Sequence, residues 1–147
     1  YKQLTPNLAV APQVQPDDLP ALARAGFRSI INNRPDGEDG DQPDSVELEK
    51  AARAAGLAYY HQPVEPGALS DSEGLRFAAL AQKAPGPVLA FCRTGTRSAS
   101  LWALSESPRT DPQTLKQTAH KAGYDLTRLE ERLHQRWQRR PGTGAHG

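Results

Sequence analysis

The chain has one cysteine, Cys92, and no methionine in 147 residues. A single thiol excludes an intrachain disulfide, which fits a reducing, cytoplasmic setting. It also leaves no partner for a thiolate metal site. The four histidines, at 61, 120, 134 and 146, never fall at ligand spacing, so neither a metal nor another cofactor is expected. An excess of one charge is missing as well. Eighteen basic against seventeen acidic residues leave a net +1, which offers no field for nucleic acid or an anionic membrane. The arginines of residues 135–140 read as a solvated helix face, with no aromatic platform beside them. No apolar run approaches membrane-spanning length. The chain starts at Tyr1, so a segment ahead of it, with any targeting signal, is expected to have been removed or trimmed.

What is present is strand–helix alternation punctuated by Gly and Pro. Leu8–Ala11 reads as a short strand. Pro16-Asp17-Asp18 then opens a helix that Gly26 closes in a left-handed cap. Residues 27–32 and 57–64 read as strands. Asp44-x-x-Glu47 and Ser70-x-x-Glu73 are capping boxes that open two helices. After the breaker Pro85-Gly86-Pro87, the apolar run Val88–Phe91 has the character of a strand buried on both faces. A helix from about Ser98 to Glu106 follows. Asp111 and Asp125 cap two C-terminal helices, the second with the stripe Leu126, Leu129, Leu133 and Trp137, which reads as core packing. The pattern implies an α/β fold of three layers: a mainly parallel central sheet, helices on both faces, and additional C-terminal helices. One domain is expected over residues 1–140, with a Gly-rich, disordered tail over 141–147.

In such sheets ligands bind at the carboxyl ends of strands, and the segment after Phe91 reads Cys92-Arg93-Thr94-Gly95-Thr96-Arg97-Ser98. Gly95 permits a tight turn. The backbone N–H groups can then face inward at a helix amino end, and Arg97 adds a fixed fork of donors. All of this favours an anion, whether the Cys92 thiolate or a tetrahedral oxyanion held in the same ring. Cys92 and Arg97 are therefore the expected catalytic residues. Arg93, Thr94, Gly95, Thr96 and Ser98 are expected at the substrate, with Ser98 either donating to the thiolate or capping the helix. Arg34 either reaches in from the neighbouring strand end or forms a structural salt bridge.

Tyrosine and dual-specificity phosphatases place five residues between cysteine and arginine and a histidine before the cysteine. Rhodanese-type sulfurtransferases use a shorter Cys-Arg-x-Gly-x-Arg loop. Here four residues separate Cys92 from Arg97, and Phe91 stands in the histidine position. Beyond the loop, the run Asn32 to Glu38, the spacing to Gln62-Pro63-Val64, and Phe91–Ser98 followed by Leu101-Trp102 resemble one family. It is the phosphatase-like domain of beta-lactamase-hydrolase-like proteins, a bacterial group also described as sulfurtransferases. The resemblance runs from about Leu4 to Leu104, and more weakly through Gly123-Tyr124-Asp125-Leu126. It implies a tyrosine-phosphatase-like fold and, by analogy with fused members, a persulfide dioxygenase as partner in sulfide metabolism.

A phosphatase needs a general acid for the leaving oxygen. Glu65, Asp71 and Asp36 are the candidates, and none stands out. Sulfur transfer needs no such acid: Cys92 takes the outer sulfur of thiosulfate or a persulfide and passes it to a thiol such as glutathione. Sulfur transfer is therefore the expected activity. Phosphoester hydrolysis through a Cys92 phosphocysteine is the alternative, and a non-enzymatic anion-binding or redox-sensing loop is the third reading.

Overall fold

Four short apolar strands and one polar one build the sheet. The computed structural model describes residues 1–67 and 69–139; the tail expected over 141–147 lies outside them. The strands are β1 (Lys2–Thr5), β2 (Leu8–Ala11), β3 (Ser29–Asn32), β4 (Ala58–His61) and β5 (Val88–Phe91), in the order β1-β2-β5-β3-β4. All neighbours are parallel except β1 and β2, which form an antiparallel hairpin. The mainly parallel sheet is as expected. Strand β1 carried no apolar signal because Lys2 and Gln3 are exposed on the sheet edge, where one face needs no burial. Strand β4 ends at His61, short of the run 57–64, although the Gln62 and Val64 N–H groups beyond it still donate to the Asn32 and Asn33 carbonyls.

Among the described residues six α-helices cover the sheet: α1 (Leu19–Arg24), α2 (Ser45–Ala54), α3 (Asp71–Lys83), α4 (Thr96–Glu106), α5 (Pro112–Lys121) and α6 (Glu130–Gln138). Successive strand side chains point to opposite faces. Val10, Ile31 and Ala90 accordingly pack in one core with Phe77, Leu101, Leu115 and Leu133 of α3 to α6. Ala9, Ile30, Leu89 and Phe91 pack in the other with Leu19 and Leu48 of α1 and α2. Each large side chain buried this way contributes about 1.5–3 kcal/mol. Helix α4 is buried at every position from Ser98 to Ser105. Its neighbour α3 approaches at Gly74, where a Cβ would stand 2.8 Å from the Leu104 Cβ. Among the described residues no helix is long and apolar enough to cross a membrane.

The expected caps form. Asp44, Ser70 and Asp111 accept from the N–H groups of Glu47, Glu73 and Thr114. Asp125 differs: it accepts from the Thr127 N–H two residues on, while the 3-10 turn over Thr127–Leu129 and helix α6 start at Leu126 and Leu129 without a side-chain cap. The parallel register pairs Ala11 and Asn32 with Phe91. The loops leaving β2, β3 and β5 therefore emerge side by side, and the cysteine loop lies between the other two.

Candidate active site

Cys92 is the first residue beyond β5, and its side chain is fully buried. The loop is stitched to the end of β2: the Cys92 N–H donates to the Ala11 carbonyl at 3.4 Å, and the Gln13 N–H to the Arg93 carbonyl at 3.2 Å. Gly95 takes φ +95° at the N-cap of α4, a conformation that disfavours any residue with a Cβ. In that conformation its N–H donates to the Cys92 Sγ at 3.1 Å. Helix α4 thus starts at Thr96, two residues before the sequence suggested, and its positive end faces the sulfur. A donor aimed at sulfur from a helix amino end stabilises negative charge that develops there.

Arg97 lies in the first turn of α4, and its fork is already engaged. Its two terminal nitrogens each donate to Glu38 at 2.8 Å, and one also donates to the Val64 carbonyl at 2.9 Å. Burial pulls the Arg97 pKa down, but the hydrogen bonds to Glu38 and the nearby Cys92 outweigh it and leave the pKa raised. Glu38 in turn accepts from the Nε of Arg34 at 2.9 Å. The hydrogen bond from Arg97, opposed by burial and reinforced by Arg34, holds the Glu38 carboxyl below its ordinary range.

Several expected roles move accordingly. The Arg97 fork is spent on Glu38 and the Val64 carbonyl, which leaves only its remaining N–H edge for an anion. Arg34 is buried and forms the salt bridge; its second contact is to the Gln13 side chain at 2.9 Å. The Ser98 hydroxyl neither meets the sulfur nor caps the helix, but donates to the Asn33 Oδ1 at 2.8 Å. Arg93, Thr94 and Thr96 are exposed at the rim, and the two threonine hydroxyls bond to each other at 3.1 Å. None of the three candidate acids reaches the sulfur through a bond of its own. Asp36 accepts from the Ser45 N–H, and Asp71 pairs with Arg132 and Arg136. Glu65 is exposed, with no hydrogen bond or ion pair among the described residues.

Sequence reasoning missed three residues. Glu38 stands four residues after Arg34, a visible ion-pair spacing. Nothing local places it against Arg97, 59 residues away. Asn33 ties the site's loops together: it accepts from Ser98, its amide donates to the Gln62 carbonyl, and its N–H donates to the Phe91 carbonyl. Tyr124 rests on the cysteine loop: a Cβ on Gly95 would run into its hydroxyl and come within 2.8 Å of the ring carbon that bears it. Burial, and then the charge of Cys92, raise the Tyr124 pKa. The motif Gly123-Tyr124-Asp125 was visible in the sequence without a role.

A buried cysteine ends a central parallel strand, the next helix opens on its loop, and an arginine occupies that helix's first turn. This defines a cysteine-loop, phosphatase-like α/β protein. Solved structures agree. A Neisseria meningitidis protein solved as a candidate phosphatase is 33% identical with a TM-score of 0.84, over 92% of this chain and 96% of that one. A kinase-associated phosphatase shares the fold alone, at 18% identity and a TM-score of 0.66, over 95% and 88% of the two chains.

More specifically, the chain belongs to the family described as "Beta-lactamase hydrolase-like protein, phosphatase-like domain", whose profile matches residues 1–109. A beta-lactamase hydrolase-like protein of Xylella fastidiosa is 39% identical over 124 residues, which is 83% of this chain and 29% of that protein. The chain thus spans less than a third of that relative's length. These names describe phosphatases and phosphatase-like domains. The family's description and the Neisseria meningitidis structure support the phosphoester alternative better than the sulfur transfer expected from the loop.

Proposed function

We propose that the chain is a cysteine-nucleophile enzyme that moves a sulfane sulfur from a small anionic donor to a thiol. The observation that carries this reading is the state of the carboxylates around the loop. Glu38, the carboxylate bonded to Arg97, is held ionised by two guanidinium groups and is a poor proton donor. Asp36 and Asp71 are committed to other partners, Asp125 accepts from Thr127 and is held below its ordinary range by that bond, and Glu65 is exposed with no bond to the loop. Hydrolysis of an ordinary phosphoester needs such a donor; sulfur transfer does not.

The Cys92 thiolate attacks the outer sulfur of thiosulfate. A sulfur–sulfur bond forms, the donor's own sulfur–sulfur bond breaks, and sulfite departs with the electron pair. The resulting Cys92 persulfide anion lies where the Gly95 N–H points. A thiolate acceptor then attacks the outer sulfur and leaves as a persulfide, returning the Cys92 thiolate. Arg97, positioned by Glu38, offers its remaining edge to the donor's anionic end. A cytoplasmic location and a persulfide dioxygenase as supplier or consumer of the persulfide complete this reading.

Phosphoester hydrolysis is the second reading, favoured by the family's description and by the name of the Neisseria meningitidis structure. One experiment separates the two. Purified protein is assayed with thiosulfate plus glutathione and with an activated aryl phosphate, and intact mass is measured after each donor alone. Gain of one sulfur atom after thiosulfate, absent in Cys92→Ser, is expected. A phosphate adduct with no sulfur adduct would establish the second reading.

A further inference from the structure

Past residue 109, where the family profile ends, the chain returns to the cysteine loop and lays Tyr124 against Gly95. Helix α5 delivers that side chain through a Schellman turn. Gly123 takes φ +92°, its N–H donates to the His120 carbonyl at 2.9 Å, and the Tyr124 N–H donates to the Ala119 carbonyl at 2.9 Å. Both bonds tie the Tyr124 backbone to a helix whose Leu115 and Ala119 are buried in the core shared with α4. The ring is half-buried against that core, and its hydroxyl has no hydrogen bond among the described residues.

On the other side of this contact, Gly95 is held from one end only. Its carbonyl accepts from the Ala99 N–H at 3.0 Å, as the first bond of α4. The peptide at its other end carries the N–H that meets the Cys92 Sγ, and joins Gly95 to the exposed Thr94. Glycine takes either sign of φ with little preference, so nothing in the residue itself keeps that N–H on the sulfur. Rotation of this one peptide would turn the donor away. Tyr124 fills the space into which Gly95 could move: a Cβ there would stand 2.8 and 2.9 Å from two of its ring carbons. Burial and then the charge of Cys92 hold the phenol's pKa above its ordinary value, so it adds no negative charge beside the loop.

We infer that Tyr124 is a positioning residue for the nucleophile: its ring braces Gly95 so that the loop N–H stays directed at the Cys92 sulfur. It acts through Gly95 and not through contact with substrate. The inference rests on Cys92 being the nucleophile of the proposed reaction, and it holds for a sulfur or a phosphoryl donor alike.

The test reads the Gly95 amide by NMR hydrogen exchange in isotope-labelled protein. Tyr124→Ala should speed exchange at Gly95 by about two- to tenfold, the worth of one hydrogen bond, while the Ala103 and Leu104 amides inside α4 keep their rates. Tyr124→Phe, which leaves a ring on Gly95, should stay near wild type. Turnover should follow: kcat with thiosulfate and glutathione falls by a similar factor in Tyr124→Ala at unchanged KM, because the Arg97 edge is untouched. Unchanged Gly95 exchange in Tyr124→Ala overturns the inference. So does a Tyr124→Phe variant that behaves as Tyr124→Ala, which would give the role to the hydroxyl, or a rise in KM with kcat preserved, which would make Tyr124 a substrate contact. If the wild type acts on the aryl phosphate and not on thiosulfate, the sulfur-transfer reading fails, and the same loss of kcat is read with the phosphate. If it acts on neither, Gly95 exchange alone decides. Should Tyr124→Ala not fold, Tyr124→Leu, which keeps apolar bulk without the ring, takes its place.

Discussion

Glu38→Gln removes one negative charge from between two guanidinium groups and barely changes shape. In the native protein the carboxylate accepts one bond from Arg34 and two from Arg97, all at 2.8–2.9 Å. The side chains of Arg34, Arg97 and Glu38 are 4%, 11% and 16% exposed. Removing one member of a fully buried ion pair costs about 3–5 kcal/mol, because the other charge is left uncompensated. Some solvent reaches this cluster and glutamine keeps one acceptor oxygen, so a loss of about 2–3 kcal/mol is expected here. For a chain of this size that corresponds to a fall in Tm of about 5–10 °C. The loss should also depend on pH. The folded-state pKa of Glu38 lies below the ordinary 4.5, so the unfolded chain takes up the proton first as pH falls. Its stabilisation is complete above about 4.5 and disappears as pH drops through the lowered value. Urea unfolding of wild type and variant at pH 7 and at successively lower pH values reads this directly. The gap should narrow toward the acid end, where both side chains are neutral. An equal gap at every pH, or none at pH 7, refutes the clamp.

Cys92→Ser should fold with a wild-type urea midpoint and show no turnover in either assay, since serine is hardly ionised beside a single N–H donor; measurable residual turnover would remove Cys92 from the mechanism. Arg97→Lys should lose more than tenfold in kcat/KM for thiosulfate, because an ammonium cannot reproduce the two-pronged grip on Glu38 while facing the donor. Inserting one glycine between Gly95 and Thr96 should shift the ratio of aryl-phosphate to sulfur-transfer kcat/KM toward the phosphate, since a longer ring has room for three equatorial oxygens. Gly74→Ala should destabilise by about 1–2 kcal/mol in urea: overpacking against the Leu104 Cβ outweighs the gain in helix propensity. A stabilised Gly74→Ala would show that α3 and α4 can separate freely.

Local features of the sequence sufficed for much of the fold. The run Val88–Phe91 named a doubly buried strand, and Asp44, Ser70 and Asp111 marked helix starts. Each depends on neighbours within a few residues, and each formed. Strand β1 was not legible, because a polar edge strand is selected by its partner β2 rather than by burial. The loop itself was legible as a tight turn between a central strand and a helix, since cysteine, glycine and arginine lie within six consecutive residues.

Which atoms meet there was not legible. The chain alone determined that the cysteine would sit at the carboxyl end of a parallel strand, because strand period and turn chemistry are short-range properties. Only the tertiary structure gave the Arg97 fork to Glu38, turned Ser98 toward Asn33, and laid Tyr124 over Gly95. Those pairings join residues 59, 65 and 29 positions apart. Charge and hydrogen-bonding capacity can be read from a side chain's identity. Its partner is decided by which loops the parallel register of β2, β5 and β3 brings to the same edge.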